Sequence, residues 1–298
     1  VEVILEKRNI LVTGGGRGLG RGLVEHLARR GHRVLFTVRT IAVGDDTVAA
    51  IRVAQPTAEL VPVVVDLSVL ADVARLGQTL ADEGLALDVL FHNAGILQQS
   101  PVRLVTREGL EQTLAVNALA PLVLTWALWP ALRRGKRPHV VTVSSRLHLE
   151  NARGGPPSFD FDDPGLERGY TADRAYKNSK LALMWFTFAL ARRAGRDVTV
   201  NAVCPGFVPT TAAASTTGIM RLIMRHIMPH MPFATRVEDA VASLAFMACD
   251  PALDDVTGAF YADQRPLAAS AAARDVGLQE RFWALAAQLA GCPPDWVG

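Results

Sequence analysis

A chain of 298 residues, half of them hydrophobic and a fifth charged, has globular composition and enough apolar surface for a full core. A formal net charge of +2 is too small to imply nucleic acid or an anionic membrane as a partner. The three cysteines, Cys204, Cys249 and Cys292, are far apart and odd in number, which excludes zinc spacing and a disulfide framework and fits a reducing cytoplasm.

The charged stretch 1–9 lacks the apolar core of a signal peptide or a membrane span, and apolar runs such as 61–65 end too early to cross a bilayer. A soluble, cytoplasmic protein with no membrane partner is expected. The alternation then predicts strand 9–12, a glycine-rich turn, and a helix over 18–30 closed by Gly31. Strands follow at 33–38 and 60–65. Ser68 is the expected N-cap of a helix reaching about 83. Strand 87–91, a long helix over 107–132 and strand 139–143 come next. Arg133, Arg134, Lys136 and Arg137, beside Gly135 and Pro138, read as a solvated loop before that strand. After a polar stretch come helix 172–194, strand 197–203, helices near 217–227 and 237–247, a strand near 259–261 and a last helix near 271–289.

Continuous apolar strands separated by helices predict a parallel sheet covered on both faces. Right-handed crossovers make this a Rossmann-type, doubly wound α/β fold of about seven strands, in one domain over 1–298 with a core at about 9–262 and a helical extension over 264–298. The most irregular segment, 148–175, is rich in Pro, Gly and Asp, and a loop that long is functional or disordered.

Thr13-Gly14-Gly15-Gly16-Arg17-Gly18-Leu19-Gly20 joins the first strand to the first helix. Its glycines permit a tight turn and close approach of a pyrophosphate, and the helix N-terminus offers free N–H groups. The spacing G-x-x-x-G-x-G differs from the G-x-G-x-x-G of the larger dehydrogenases. Asp66 and Leu67 follow strand three, Asn93-Ala94-Gly95 strand four, and Ser145 strand five. Asn117 lies in the fourth helix, and Tyr176-Lys177-Asn178-Ser179-Lys180 and Pro205-Gly206 complete the series. In this order the landmarks resemble the short-chain dehydrogenase/reductase family over roughly 9–262, closest in pattern to its retinol-dehydrogenase-like and broad carbonyl reductase members.

An acid at the end of strand two would bind the adenosine ribose hydroxyls and repel a 2′-phosphate. Here the strand ends Phe36-Thr37-Val38-Arg39, and Arg39 with Arg17 can pair with a phosphate, so NADP(H) is the expected cofactor. Asp45 and Asp46 lie too far along to play the acidic part. The resemblance adds Val208 and Thr210 as nicotinamide contacts, with Pro205 and Gly206.

Tyr176 and Lys180, four apart on a helix, share a face. A neighbouring ammonium, with the positive nicotinamide ring of the oxidised cofactor, would favour the phenolate, lowering a pKa that is ordinarily about 10. The resemblance makes Tyr176 the acid/base, with Lys180 also holding the nicotinamide ribose. It makes Ser145 the group that stabilises the substrate oxygen, Ser144 being the alternative, and gives Asn117 a water that relays protons; Asn117 could equally be a helix-bending residue. Tyr170 has no lysine four residues on. His92, His148, His226 and His230 lack metal-ligand spacing, and the G-x-S-x-G elbow of hydrolases is missing.

Phe159 and Phe161 could wall the substrate or pack their loop down. The Met-rich helical stretch 219–228 could be an adaptable lid or ordinary core. Together they lean towards a bulky, apolar carbonyl or alcohol as substrate. Trp126, Trp129, Trp185 and Phe188 on the outer faces of two helices lead to an expected homodimer or homotetramer. A non-redox cyclase, dehydratase or isomerase on the same scaffold, and a dinucleotide-sensing binding protein, are the competing readings.

Overall fold

Ile10, Leu11 and Val12 are fully buried and alternate between two separate apolar clusters, so the strand Asn9–Val12 (β1) needs cover on both faces of its sheet. The computed structural model, which describes residues 6–209, 222, 228, 231 and 234–297, gives it that cover. One sheet contains β1, Arg33–Val38 (β2), Leu60–Val64 (β3), Val89–His92 (β4), His139–Val143 (β5), Thr199–Cys204 (β6), Phe260–Ala262 (β7) and Arg265–Pro266 (β8). Its order is β3-β2-β1-β4-β5-β6-β7-β8, all parallel until β8 turns back against β7. The expected fold is therefore present with one strand more. That last hairpin turns on Asp263 and Gln264, both at positive φ (51° and 60°), with no glycine to announce it in the sequence.

The chain runs outward from β1 to β3 and returns on β1's other side as β4, which opens a crevice at the C-terminal ends of the strands. Helices Gly18–Arg29 (α1) and Val237–Cys249 (α6) supply one apolar layer. Leu70–Asp82 (α3), Gln112–Arg133 (α4), Ala172–Ala194 (α5) and Val276–Ala290 (α8) supply the other. Ile41–Ala54 (α2) is a helix the sequence reading missed. Gly44 conceals it: a Cβ there would lie 2.5 Å from Pro62 Cβ, so the glycine lets α2 close on β3.

Three boundaries differ for reasons of capping, one of them long-range. Ser68 is not the cap of α3; its hydroxyl bonds Asp66, and the Glu108 carboxylate takes the N–H groups of Leu70 and Ala71. The fourth helix begins at Gln112, not 107, because Glu111 accepts from Thr113 and Leu114. Ala271–Arg274 (α7) and α8 are separate because Asp275 caps the second.

α4 is long and apolar enough to cross a membrane, which corrects the expectation that no run is; 89% of its apolar window is buried within the fold, as in a core helix. The expected oligomer face is also corrected. Trp185 stacks with Phe161 and lies edge-on to Phe159, while its Nε1 donates to the Ala272 carbonyl at 2.7 Å. Trp129 meets Trp296 at 5.4 Å, and Trp283 stacks on Phe186. The chain's own C-terminal segment covers these aromatics, and Phe159 and Phe161 pack the 148–171 connection down. α5 clamps the same connection: Asn178 exchanges two hydrogen bonds with the Ser158 backbone, and Arg174 donates to Ser158 Oγ. Thr210 and most of the Met-rich stretch 219–228 lie outside the described residues.

Candidate active site

The glycine-rich turn is held by threonines on either side of β1. Gly14 N donates to Thr37 Oγ1 at 2.9 Å, and Thr13 Oγ1 accepts from Ala94 N at 2.9 Å. Asn93 Nδ2 donates to the Thr13 carbonyl, so the turns after β1 and β4 are locked together. Gly20 fits under this lock with no room to spare: a Cβ there would fall 2.2 Å from the Gly14 carbonyl oxygen. Thr13 and Thr37 were missed by the sequence reading; a threonine bracing a glycine turn has no spacing signature.

α1 starts at this turn without a cap. Its N-cap residue is Arg17, a cation that cannot accept, and no acidic residue lies in the first turn. The N–H groups of Gly18, Leu19 and Gly20 therefore lack acceptors among the described residues while sitting at the positive end of the helix, which fits a bound pyrophosphate. Arg17 and Arg39 are both exposed, and neither guanidinium has an ion-pair partner among the described residues. Asp66 is spent on the Ser68 N–H and hydroxyl, and Leu67 sits beside Thr13, His92 and Ala94 around a small gap under the crevice.

Ser145 closes β5, and Tyr176 and Lys180 lie on the first turns of α5, started by the Thr171 cap that accepts from Arg174 N. Of the two serines, Ser145 is the one whose side chain acts on the Tyr176 phenol, favouring its ionisation against the effect of burial. Ser144 Oγ is buried with no partner among the described residues. Lys180 lies with Nζ 5.6 Å from the Tyr176 ring centroid and donates to the Val143 carbonyl at 2.8 Å. Burial pushes the phenol up to about 12, with Cys204 adding and the Ser145 hydrogen bond opposing. The expected lowering belongs to the complex with the oxidised cofactor; with protein groups alone, burial raises the phenol. Burial also pulls Lys180 down to about 8.

Asn117 sits in a π-helical turn, Ala115–Leu119, within α4. Its Oδ1 accepts from Ile96 N at 2.8 Å, and its Nδ2 donates to the Ile96 carbonyl and Ser179 Oγ. The carboxamide thus ties the segment after β4 to both α4 and α5. A Cβ on Gly95 would approach Asn117 Oδ1 to 3.4 Å and Lys180 Nζ to 3.5 Å, so the three meet at one point. Pro205 and Val208 are buried after β6, and Gly206 (φ 81°) lies so close to Thr235 that a Cβ would be 2.0 Å from its hydroxyl.

An open parallel sheet with an uncapped glycine turn at its switch point, and a Ser–Tyr–Lys group one strand away, defines a dinucleotide-dependent oxidoreductase scaffold. The profile described as short chain dehydrogenase matches residues 8–156, and one described as enoyl-(acyl carrier protein) reductase matches 164–263. Polyprenol dehydrogenase of Mus musculus is 32% identical over 95% of this chain and 84% of its own length. Retinol dehydrogenase 14 of Mus musculus is 29% identical over 97% and 87%. A solved protein of Beutenbergia cavernae, described as a candidate NAD(P)-dependent gluconate 5-dehydrogenase with bound NADP, is 30% identical, covers 87% of this chain and 96% of its own, and superposes with a TM-score of 0.66. The chain belongs to the short-chain dehydrogenase/reductase family and is an oxidoreductase that binds a nicotinamide cofactor and acts on small molecules.

Proposed function

We propose that the chain is an NADP(H)-dependent oxidoreductase interconverting a carbonyl and an alcohol on a bulky, apolar substrate. The observation that carries this reading is the placing of Lys180, its Nζ 5.6 Å from the Tyr176 ring centroid and bonded to the Val143 carbonyl at the end of β5, with Ser145 two residues further on. When bound, the cofactor supplies or accepts the hydride at the carbonyl carbon. Tyr176, held protonated at neutral pH by burial, delivers its proton to the substrate oxygen in the reductive direction. Ser145 donates to the same oxygen and stabilises the charge that develops there. For the reverse reaction the phenol must ionise, which the positive charges of Lys180 and of the oxidised nicotinamide ring would favour.

Asn117 acts by fixing the Ile96 segment and the start of α5, and its second Oδ1 lone pair is left for the water of a proton relay. NADP(H) is favoured over NAD(H) by the two unpaired arginines, Arg17 and Arg39, and by the lack of an acid at the end of β2. The apolar substrate class rests on the names of the relatives, which act on retinol and polyprenol, and on Leu97, Val102, Leu104 and Val105, which are exposed on the segment after β4. The test is NADPH absorbance at 340 nm with a carbonyl panel that includes decanal and all-trans-retinal. NADPH loss with alcohol formation supports the reading, and conversion of a substrate without net NADPH loss would move the non-redox alternative ahead.

A further inference from the structure

Resting on the reading of Ser145 as the substrate-oxygen donor, we propose that His148 is the positioning residue that sets this serine, acting through the Ser145 carbonyl. His148 follows Ser145 by one short helical turn, Arg146–His148, and only 1% of it is exposed. Its Nδ1 lies within hydrogen-bond distance of the Ser145 carbonyl oxygen, which also accepts from the His148 backbone N–H at 3.3 Å. A carbonyl can only accept, so Nδ1 carries the proton and the tautomer is fixed. Nε2 is then an acceptor, buried with no partner among the described residues. The ring is held edge-on against Phe260 of β7 at 4.9 Å, on the sheet face that α5 covers.

Two acceptors on one residue are thereby pinned in different ways. The Ser145 carbonyl is held by His148, and Ser145 Oγ accepts from Leu147 N at 3.2 Å. With its backbone extended (φ −150°, ψ 148°), Ser145 is left one freedom, the direction of its hydroxyl hydrogen. The exposed flanks of the turn carry surface pairs, Arg146 with Asp263 and Glu150 with the Ala271 N–H. The buried imidazole is the part of this turn shielded from water, and burial also pulls its pKa down, keeping it neutral.

Two experiments test this. The first needs no substrate: 15N-histidine labelling of the intact protein, with His148 assigned by its loss in His148→Asn among the seven histidines. A neutral ring protonated at Nδ1 at pH 7 is expected. A ring protonated at Nε2, or doubly, overturns the proposal. The second compares His148→Leu, which deletes the donor, with His148→Asn, whose Nδ2 can replace it, using NADPH and decanal and, in parallel, NADPH affinity by fluorescence. His148→Leu should lower kcat by about 10-fold or more with little change in NADPH affinity, and His148→Asn should recover most of that loss. The double variant Ser145→Ala/His148→Leu should be no slower than Ser145→Ala alone. Full turnover in His148→Leu, or equal losses in Leu and Asn variants that both fold by circular dichroism, overturns the proposal. If Ser145→Ala keeps the wild-type rate, the reading of Ser145 itself fails, which the single variant distinguishes.

Discussion

Lys180 donates from Nζ to the carbonyl of Val143, two residues before Ser145, and so fastens α5 to the end of β5. That bond sets the Tyr176 side chain against Ser145 and leaves the ammonium two further protons for other partners. Because burial pulls Lys180 down to about 8, its positive charge is lost as pH climbs through that value. Turnover should therefore show an alkaline fall with a midpoint near 8 in the free enzyme, read from kcat/KM against pH. Lys180→Ala should lower both rate and NADPH affinity; an unchanged alkaline limb in a slower Lys180→Arg enzyme would assign the limb to another group.

Tyr176→Phe keeps the ring and removes only the hydroxyl, so folding and NADPH binding should survive. Turnover should drop by about 10²-fold or more, the lower range for a positioned proton donor. Single-turnover rates with bound NADPH measure this directly, and full activity in the variant would reject the proton-transfer mechanism.

Arg39 is exposed and unpaired, so its removal costs the fold little. Arg39→Ala should weaken NADPH by about 1–3 kcal/mol, the range for a charge-assisted hydrogen bond, and barely change NADH. Calorimetric affinities for both cofactors decide it; equal losses would count against a 2′-phosphate contact.

At the other end of the strands, Asp254 receives Arg8 at 3.1 Å and Arg137, and lies 3.3 Å from His139 Nε2. Burial raises its pKa, but the two arginines outweigh burial and hold the carboxyl below its ordinary value. A depressed acid contributes stability above its unfolded pKa of about 4 and loses it as pH falls through the folded value. Asp254→Asn should therefore destabilise the protein at pH 7 by about 1–3 kcal/mol, and the difference should shrink below pH 4. Urea unfolding at the two pH values provides the comparison.

Trp283 stacks on Phe186 and Trp296 and donates to the Pro294 carbonyl at 2.8 Å, with Arg193 over its ring. Trp283→Ala should cost about 3–5 kcal/mol, the range for a buried aromatic. Since the C-terminal segment covers the aromatics of α4 and α5, the intact protein should be monomeric at micromolar concentration by light scattering. A stable dimer would require an interface on some other face.

The sequence by itself determined the layer architecture and the addresses of the site. Apolar strands such as 9–12 and 139–143 have few alternatives to a sheet covered on both sides, and Tyr176 and Lys180 share a face by helical spacing alone. Gly14, Gly16, Gly18 and Gly20 mark the turn after β1 for the same local reason. Local pattern could not reveal α2, because Gly44 is explained only by Pro62 across the layer, nor the caps from Glu108, which lies far along the chain from α3. Only the tertiary structure decided that Lys180 fastens to the Val143 carbonyl, that burial pushes the Tyr176 phenol up, and that the C-terminal segment packs on Trp129 and Trp185. These outcomes depend on burial and on contacts between residues distant in sequence, and both exist only once the layers have closed.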